Sequence, residues 1–214
     1  MALSKPTAER LALLLRLLET RVREGKAEPA ISSAEIEQYT GWPSHTIRKD
    51  ISLLNAGTEI STSTGYNPEK LAAVIRNALG FSDQAQNCCI VGLGRLGSAF
   101  LDYSGFRGSH FTLCAGFDSN VNRVEILKAA FPLYPTFKMK DVIPRLAIRY
   151  AILCVPENQA QQTAEKLIAC GIAGIVNFTP AILSVSAETE IENVSTIDAL
   201  GALAARIAVK RSDR

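Results

Sequence analysis

The residues of this chain best suited to do chemistry are three glycines and one carboxylate. Gly92, Gly94 and Gly97 stand at G-x-G-x-x-G spacing in "VGLGRLGSAF", directly after the apolar run "CCIV", and Asp118 ends the next apolar run, "FTLCAGFD". In that context Gly92 permits a tight turn, Gly94 lets the backbone approach a pyrophosphate, and Gly97 allows a helix to pack closely on a strand. The helix that opens at Arg95 and Leu96 presents free N–H groups to phosphate. Asp118 at the second strand end accepts the ribose hydroxyls and repels a 2′-phosphate, so the expected cofactor is NADH or NAD+ rather than NADP. Arg123, on the following helix, would soften the exclusion of NADP if it faced the ribose, but reads as a solvated charge. Pro156, Asn177 and Phe178 close later strand-like runs and are expected near the nicotinamide.

Nothing beside this cradle reads as catalytic. The two histidines, His45 and His110, lie away from the carboxyl ends of the strands, and too little chain remains to build a substrate domain with an acid or base of its own. Binding without turnover is the economical reading. Its alternative is a nucleotide- or CoA-binding enzyme subunit that uses its N-terminal helices for protein contact.

A second constellation lies nearer the N-terminus. "SSAEIEQYTGW" opens with Ser32 and Glu35 at capping-box spacing and breaks at Gly41, and "PSHTIRKDISLL" follows with Ser44 as the expected N-cap. Ile47, Ile51 and Leu54 share one arc of that second helix. Ser44, His45, Thr46, Arg48, Lys49 and Ser52 supply a polar, basic face for double-stranded DNA. Two short helices joined by a glycine-containing turn are the pattern of a helix-turn-helix. Arg48 suits a guanine edge and Lys49 a phosphate.

The elements that must position these groups follow from periodicity. Leucines 11, 14, 15 and 18 with Val22 make one amphipathic helix from Thr7 to Arg23. "GTEISTSTGY" suits a two-stranded wing, and "NPEKLAAVIRNALG" has Asn67 as cap, Pro68 at the first helical position and Gly80 as stop. Beyond "FSDQAQN" strand and helix alternate, at 88–91, 111–117, 150–155 and 174–178 for the strands, which implies a doubly wound parallel sheet. The expected fold is α/β, divided into a winged helix-turn-helix domain (1–80), a linker (81–87), a Rossmann-like domain (88–195) and a C-terminal helix and tail (196–214). That last helix carries Ile197, Leu200, Leu203, Ala204 and Ile207 as an apolar stripe, which predicts a homodimer.

Composition narrows the rest. The formal charge of +2 is too small to signal nucleic acid without local geometry. No apolar run nears the roughly 20 residues of a membrane span and no signal peptide is visible, so a cytoplasmic protein is expected. The cysteines number five, with no metal-ligand spacing, and read as reduced core residues; the vicinal Cys88 and Cys89 are the exception to watch.

Taken in order, the winged helix, the glycine cradle and the closing helix resemble the Rex family of redox-sensing transcriptional repressors. The likeness is carried by "ISSAEIEQYTGWPSHTIRKDIS", "VGLGRLGSAFLDYSGF", "GFD", "VPENQAQ", "GIVNFTPAIL" and "TIDALGAL". It implies a homodimer on an inverted-repeat operator, released by NADH, with NAD+ a weaker competitor. It also implies a C-terminal helix swapped onto the partner, and Arg16, Tyr103 and Asp198 as switch contacts. The chain departs from the family in a wing with only hydroxyls at Ser61–Thr64, in "LLNAGTE" after the recognition helix, and in Ser104 where proline is common.

Overall fold

The computed structural model describes residues 3–23, 25, 30–54, 60–81 and 85–212. The chain divides into two compact units, Met1–Gln84 and Ala85–Arg214.

In the first unit, helix α1 (Lys5–Arg23) buries Leu11, Leu14, Leu15 and Leu18, the i, i+3, i+4, i+7 stripe of an amphipathic helix. This stripe meets Leu71, Ala72 and Ile75 of α4 (Pro68–Ala78), and the same core holds Ile36, Ile47 and Ile51. Helix α2 (Ser33–Thr40) starts in a complete capping box, Ser32 to Glu35, and ends at Gly41 in the left-handed region, φ 73°. Helix α3 (Ser44–Ser52) begins one residue earlier than its sequence suggests: Pro43 takes the N-cap position without a side-chain cap. Ser44 instead sits inside the first turn, where its hydroxyl and amide both donate to Glu37. The carboxylate of α2 thus does the capping that the serine was expected to do. Asn67 caps α4 by accepting from the Lys70 amide at 3.0 Å. Of the expected wing, antiparallel bridges join Tyr66 to Ser61 and to Ile31; residues 55–59 lie outside the described part.

The second unit is a six-stranded, wholly parallel sheet: β1 (Gln86–Val91), β2 (Phe111–Asp118), β3 (Leu133–Pro135), β4 (Tyr150–Leu153), β5 (Gly174–Asn177) and β6 (Glu190–Asn193). The order is β3-β2-β1-β4-β5-β6, the doubly wound arrangement whose switch point falls between β1 and β4. Two strands go beyond the four expected. β3 is three residues long and ends in proline, and β6 is charged, so neither has the apolar signature of a buried strand. The crossovers are α5 (Arg95–Ala99), α6 (Val121–Ile126), α7 (Met139–Arg145) and α8 (Glu157–Ala169).

Side chains alternate across β1. Cys88 and Ile90 join one core with Leu93, Leu101 and Ile152, while Cys89 and Val91 join another with Phe117, Ile143 and Leu167. The vicinal cysteines therefore point to opposite faces of the sheet. Burial pushes the Cys88 thiol up to about 12 and the Cys89 thiol well above its ordinary value. Helix α9 (Thr196–Ser212) closes the chain, and from Thr196 to Lys210 every residue is exposed, including Ile197, Leu200, Leu203 and Ile207.

Candidate functional site

The glycines act as the spacing requires, each by a different physical constraint. Gly92 has φ 89°, and a β-carbon there would stand 2.6 Å from the Cys154 carbonyl oxygen. The β-carbon of an alanine at Gly97 would fall inside the Gly92 carbonyl, so α5 packs against its own strand only through a bare α-carbon. Gly94 differs from both. It precedes α5 as its N-cap, and a β-carbon on it meets nothing within 4 Å. That open space belongs to a cavity of about 670 Å³ over the carboxyl ends of β1, β2 and β4, a size typical of cofactor sites.

Asp118 forms one wall and is almost wholly buried. Its Oδ2 accepts from the Leu93 amide at 2.7 Å and from Arg123 Nη1 at 3.0 Å, and its Oδ1 accepts from the Asn120 amide at 2.7 Å. Arg123 is thus an ion-pair partner and not the freely solvated charge expected from sequence. Asn120 adds a cap for α6, its side chain accepting from the Arg123 amide.

Pro156 also lines the cavity, at the entry to α8. Behind it Gln159, Gln162, Thr163 and Lys166 face the same space. Their i, i+3, i+4, i+7 spacing is the polar counterpart of the buried stripe Ala160, Ala164 and Leu167. That stripe was legible in "ENQAQQTAEKLIA" but a solvated helix face has the same pattern. Arg95 and Leu96 are exposed on the first turn of α5, outside the cavity wall.

Asn177 and Phe178 serve other contacts. The buried Asn177 amide donates to the Ala181 carbonyl and to Asn193 Oδ1, each at 2.9 Å, and its oxygen accepts from Thr179. Phe178 packs on Phe100 at 5.3 Å between ring centroids. Tyr103 extends this aromatic group edge-on to Phe100 and Phe106, yet remains half exposed. Asp198 is exposed in the first turn of α9, and its amide donates to Ser195 Oγ. Arg16 is exposed on α1.

On α3, His45, Arg48, Lys49 and Ser52 are exposed and make the outward side of the helix, while Ser44 and Thr46 are half-buried at its edges. Arg48 Nη1 donates to Ser33 Oγ at 3.0 Å. The inward side carries an unforeseen charge, Asp50, which is buried and takes both nitrogens of an Arg10 fork at 2.6 and 2.9 Å, with Thr7 donating at 3.3 Å. This bidentate pair fixes the rotation of α3 about its axis relative to α1.

Among the described residues no cluster of metal-ligating side chains occurs, and no helix is long and apolar enough to cross a membrane.

Comparison with known proteins divides the chain in the same way. The family model for the CoA binding domain matches residues 83–181, and the model described as "Putative DNA-binding protein N-terminus" matches residues 2–52. The redox-sensing transcriptional repressor Rex of Exiguobacterium sibiricum is 33% identical over 188 residues, 88% of this chain and 84% of that protein. The Rex of Clostridioides difficile is 34% identical over 79% of this chain and 80% of its own length. Among solved structures, RSP, a Rex-family repressor, superposes with TM-score 0.80 at 32% identity, covering 99% of this chain and 96% of its own. RSP has also been solved with β-NADH, TM-score 0.80, and with β-NAD+ and operator DNA, TM-score 0.81. With full-length relatives above thirty per cent identity and one architecture throughout, this chain belongs to the Rex family of redox-sensing transcriptional repressors.

Proposed function

We propose that the chain is a cytoplasmic repressor that binds an inverted-repeat operator as a homodimer and is released from it by NADH. The observation that carries this reading is the pairing, in one chain, of a dinucleotide-sized cavity in one unit with an outward basic helix in the other. The family is one of repressors, not of enzymes.

The residues that would hold the cofactor fit it. Gly94 leaves room for a pyrophosphate against the backbone, Asp118 retains one lone pair for a ribose hydroxyl, and Pro156 with the α8 stripe walls the far side. NAD(H) supplies the redox signal, because its two forms differ by a hydride at the nicotinamide. The exposed stripe of α9 packs on a second copy, which places two α3 helices on one duplex. They enter successive major grooves only when spaced by about 34–36 Å or a multiple of it. Arg16, Tyr103 and Asp198 are the groups through which NADH changes that spacing, and NADH must favour the released form to do so.

Fluorescence anisotropy of a labelled inverted-repeat duplex tests this. NADH should weaken binding and NAD+ should weaken it less. Arg48→Ala should cost about 1–3 kcal/mol on the preferred operator and flatten base preference, whereas Lys49→Ala should weaken all duplexes alike. A duplex affinity that saturating NADH leaves unmoved overturns the reading. The CoA binding domain match makes CoA the control ligand: nucleotide released from purified protein identifies NAD(H) by its absorbance or CoA by its thiol.

A further inference from the structure

We propose that Arg123 sets ribose specificity in this cavity: it is the donor on Asp118 that a ribose diol displaces, and once displaced it stands as a cation beside the 2′-oxygen. The inference rests on the dinucleotide reading above.

The argument is one of hydrogen-bond capacity. An ionised carboxylate offers about four lone-pair sites, and three on Asp118 are taken, by the Leu93 amide, the Asn120 amide and Arg123 Nη1. Gripping both ribose hydroxyls needs two, so one donor must leave. The Leu93 amide belongs to the cradle that follows β1, and the Asn120 amide to the cap of α6, so neither moves without unmaking backbone structure. Arg123 is different. Its side chain is 42% exposed against 4% for Asp118, so the guanidinium rotates into water while the carboxylate stays dry. The guanidinium gives up little on its own side, and the ribose hydroxyls replace its hydrogen bond to the buried carboxylate.

The displaced guanidinium remains on the cavity wall, where Asp118 is the single acid among the lining residues and Lys166 the other cation. Asp118 disfavours a 2′-phosphate, and Arg123, with a planar fork suited to phosphate, opposes that repulsion. The chain's preference for NADH over NADPH is therefore narrower than the carboxylate alone would set.

Isothermal titration of the full chain with NADH and with NADPH tests this, against Arg123→Gln and Arg123→Lys. In Arg123→Gln, NADPH should weaken about tenfold while NADH holds or tightens, widening the preference by a similar factor. Arg123→Lys should keep the unmodified ratio within about threefold. Equal losses for the two cofactors, or an unmoved ratio, overturn the proposal, because they assign Arg123 to the adenine or to the fold. A flat NADH titration of the unmodified chain overturns the dinucleotide reading itself, which is a distinguishable result.

Discussion

The two units hold themselves together by different means. The helical unit ties its helices with buried or half-buried charges: Arg10 with Asp50 between α1 and α3, Arg76 with Glu19 at 2.7 Å between α4 and α1, and Glu37 with Ser44 between α2 and α3. The sheet unit has apolar layers on both faces and places a buried aspartate, paired with a half-exposed arginine, at the cavity. A small helical unit has little area to bury, so directional contacts must fix the angles of its helices. A parallel sheet fixes its own geometry by backbone pairing and can reserve charge for ligand. The same residue type, a buried aspartate, therefore positions a helix in one unit and lines a site in the other.

That contrast can be broken most severely at Gly97. Gly97→Ala drives a β-carbon into the Gly92 carbonyl, and should cost about 3 kcal/mol or more while abolishing NADH binding. Trp42, the single tryptophan, packs in the helical core and should report an unchanged unfolding midpoint in urea. A normal NADH titration from this variant would show that the cradle is not built as described. Asp50→Ala should do the opposite. It leaves Arg10 without its partner and should cost about 2–3 kcal/mol, less than a fully buried pair because Arg10 is partly exposed. The Trp42 transition should move to lower urea, operator affinity should fall, and NADH binding should persist. The smallest effect is expected from acid. Hydrogen bonds from Ser32 and from Ser44 hold the Glu35 and Glu37 carboxyls below the usual value of 4.5. Their contribution is complete above that value and is lost as pH falls through the lower folded values. The urea midpoint followed by Trp42 fluorescence should therefore fall modestly on acidification, and Glu37→Gln should blunt that dependence. An acid transition unaltered by the variant would remove Glu37 from the account.

Legibility followed the same division. Caps and glycines are local, so the Ser32 to Glu35 box, Asn67, Gly41 and the G-x-G-x-x-G turn were readable residue by residue. The four apolar strands were readable because burial on both faces leaves a continuous run. β3 and β6 were not, since edge strands need no such run. Asp50 carries no signal at all: a carboxylate on a basic helix looks like surface until α1 is laid beside it. The same holds for Arg123, whose partner is set by the turn after β2. Asn177 and Phe178 stand at a strand end as expected, yet their side chains turn to the Thr179 loop and to Phe100. Strand position gives where a residue lies, and only packing gives where it points.

The burial of the vicinal cysteines on opposite faces of the sheet has a consequence for what kind of stress the protein can register. Cys88 and Cys89 lie on opposite sides of a sheet, and burial raises all five thiols, Cys154 to about 11. Peroxide and disulfides react with thiolates, and this chain offers few at neutral pH. Under the proposed function, then, the signal that the chain is built to register is hydride at the nicotinamide, while burial keeps its thiols in the less reactive protonated form.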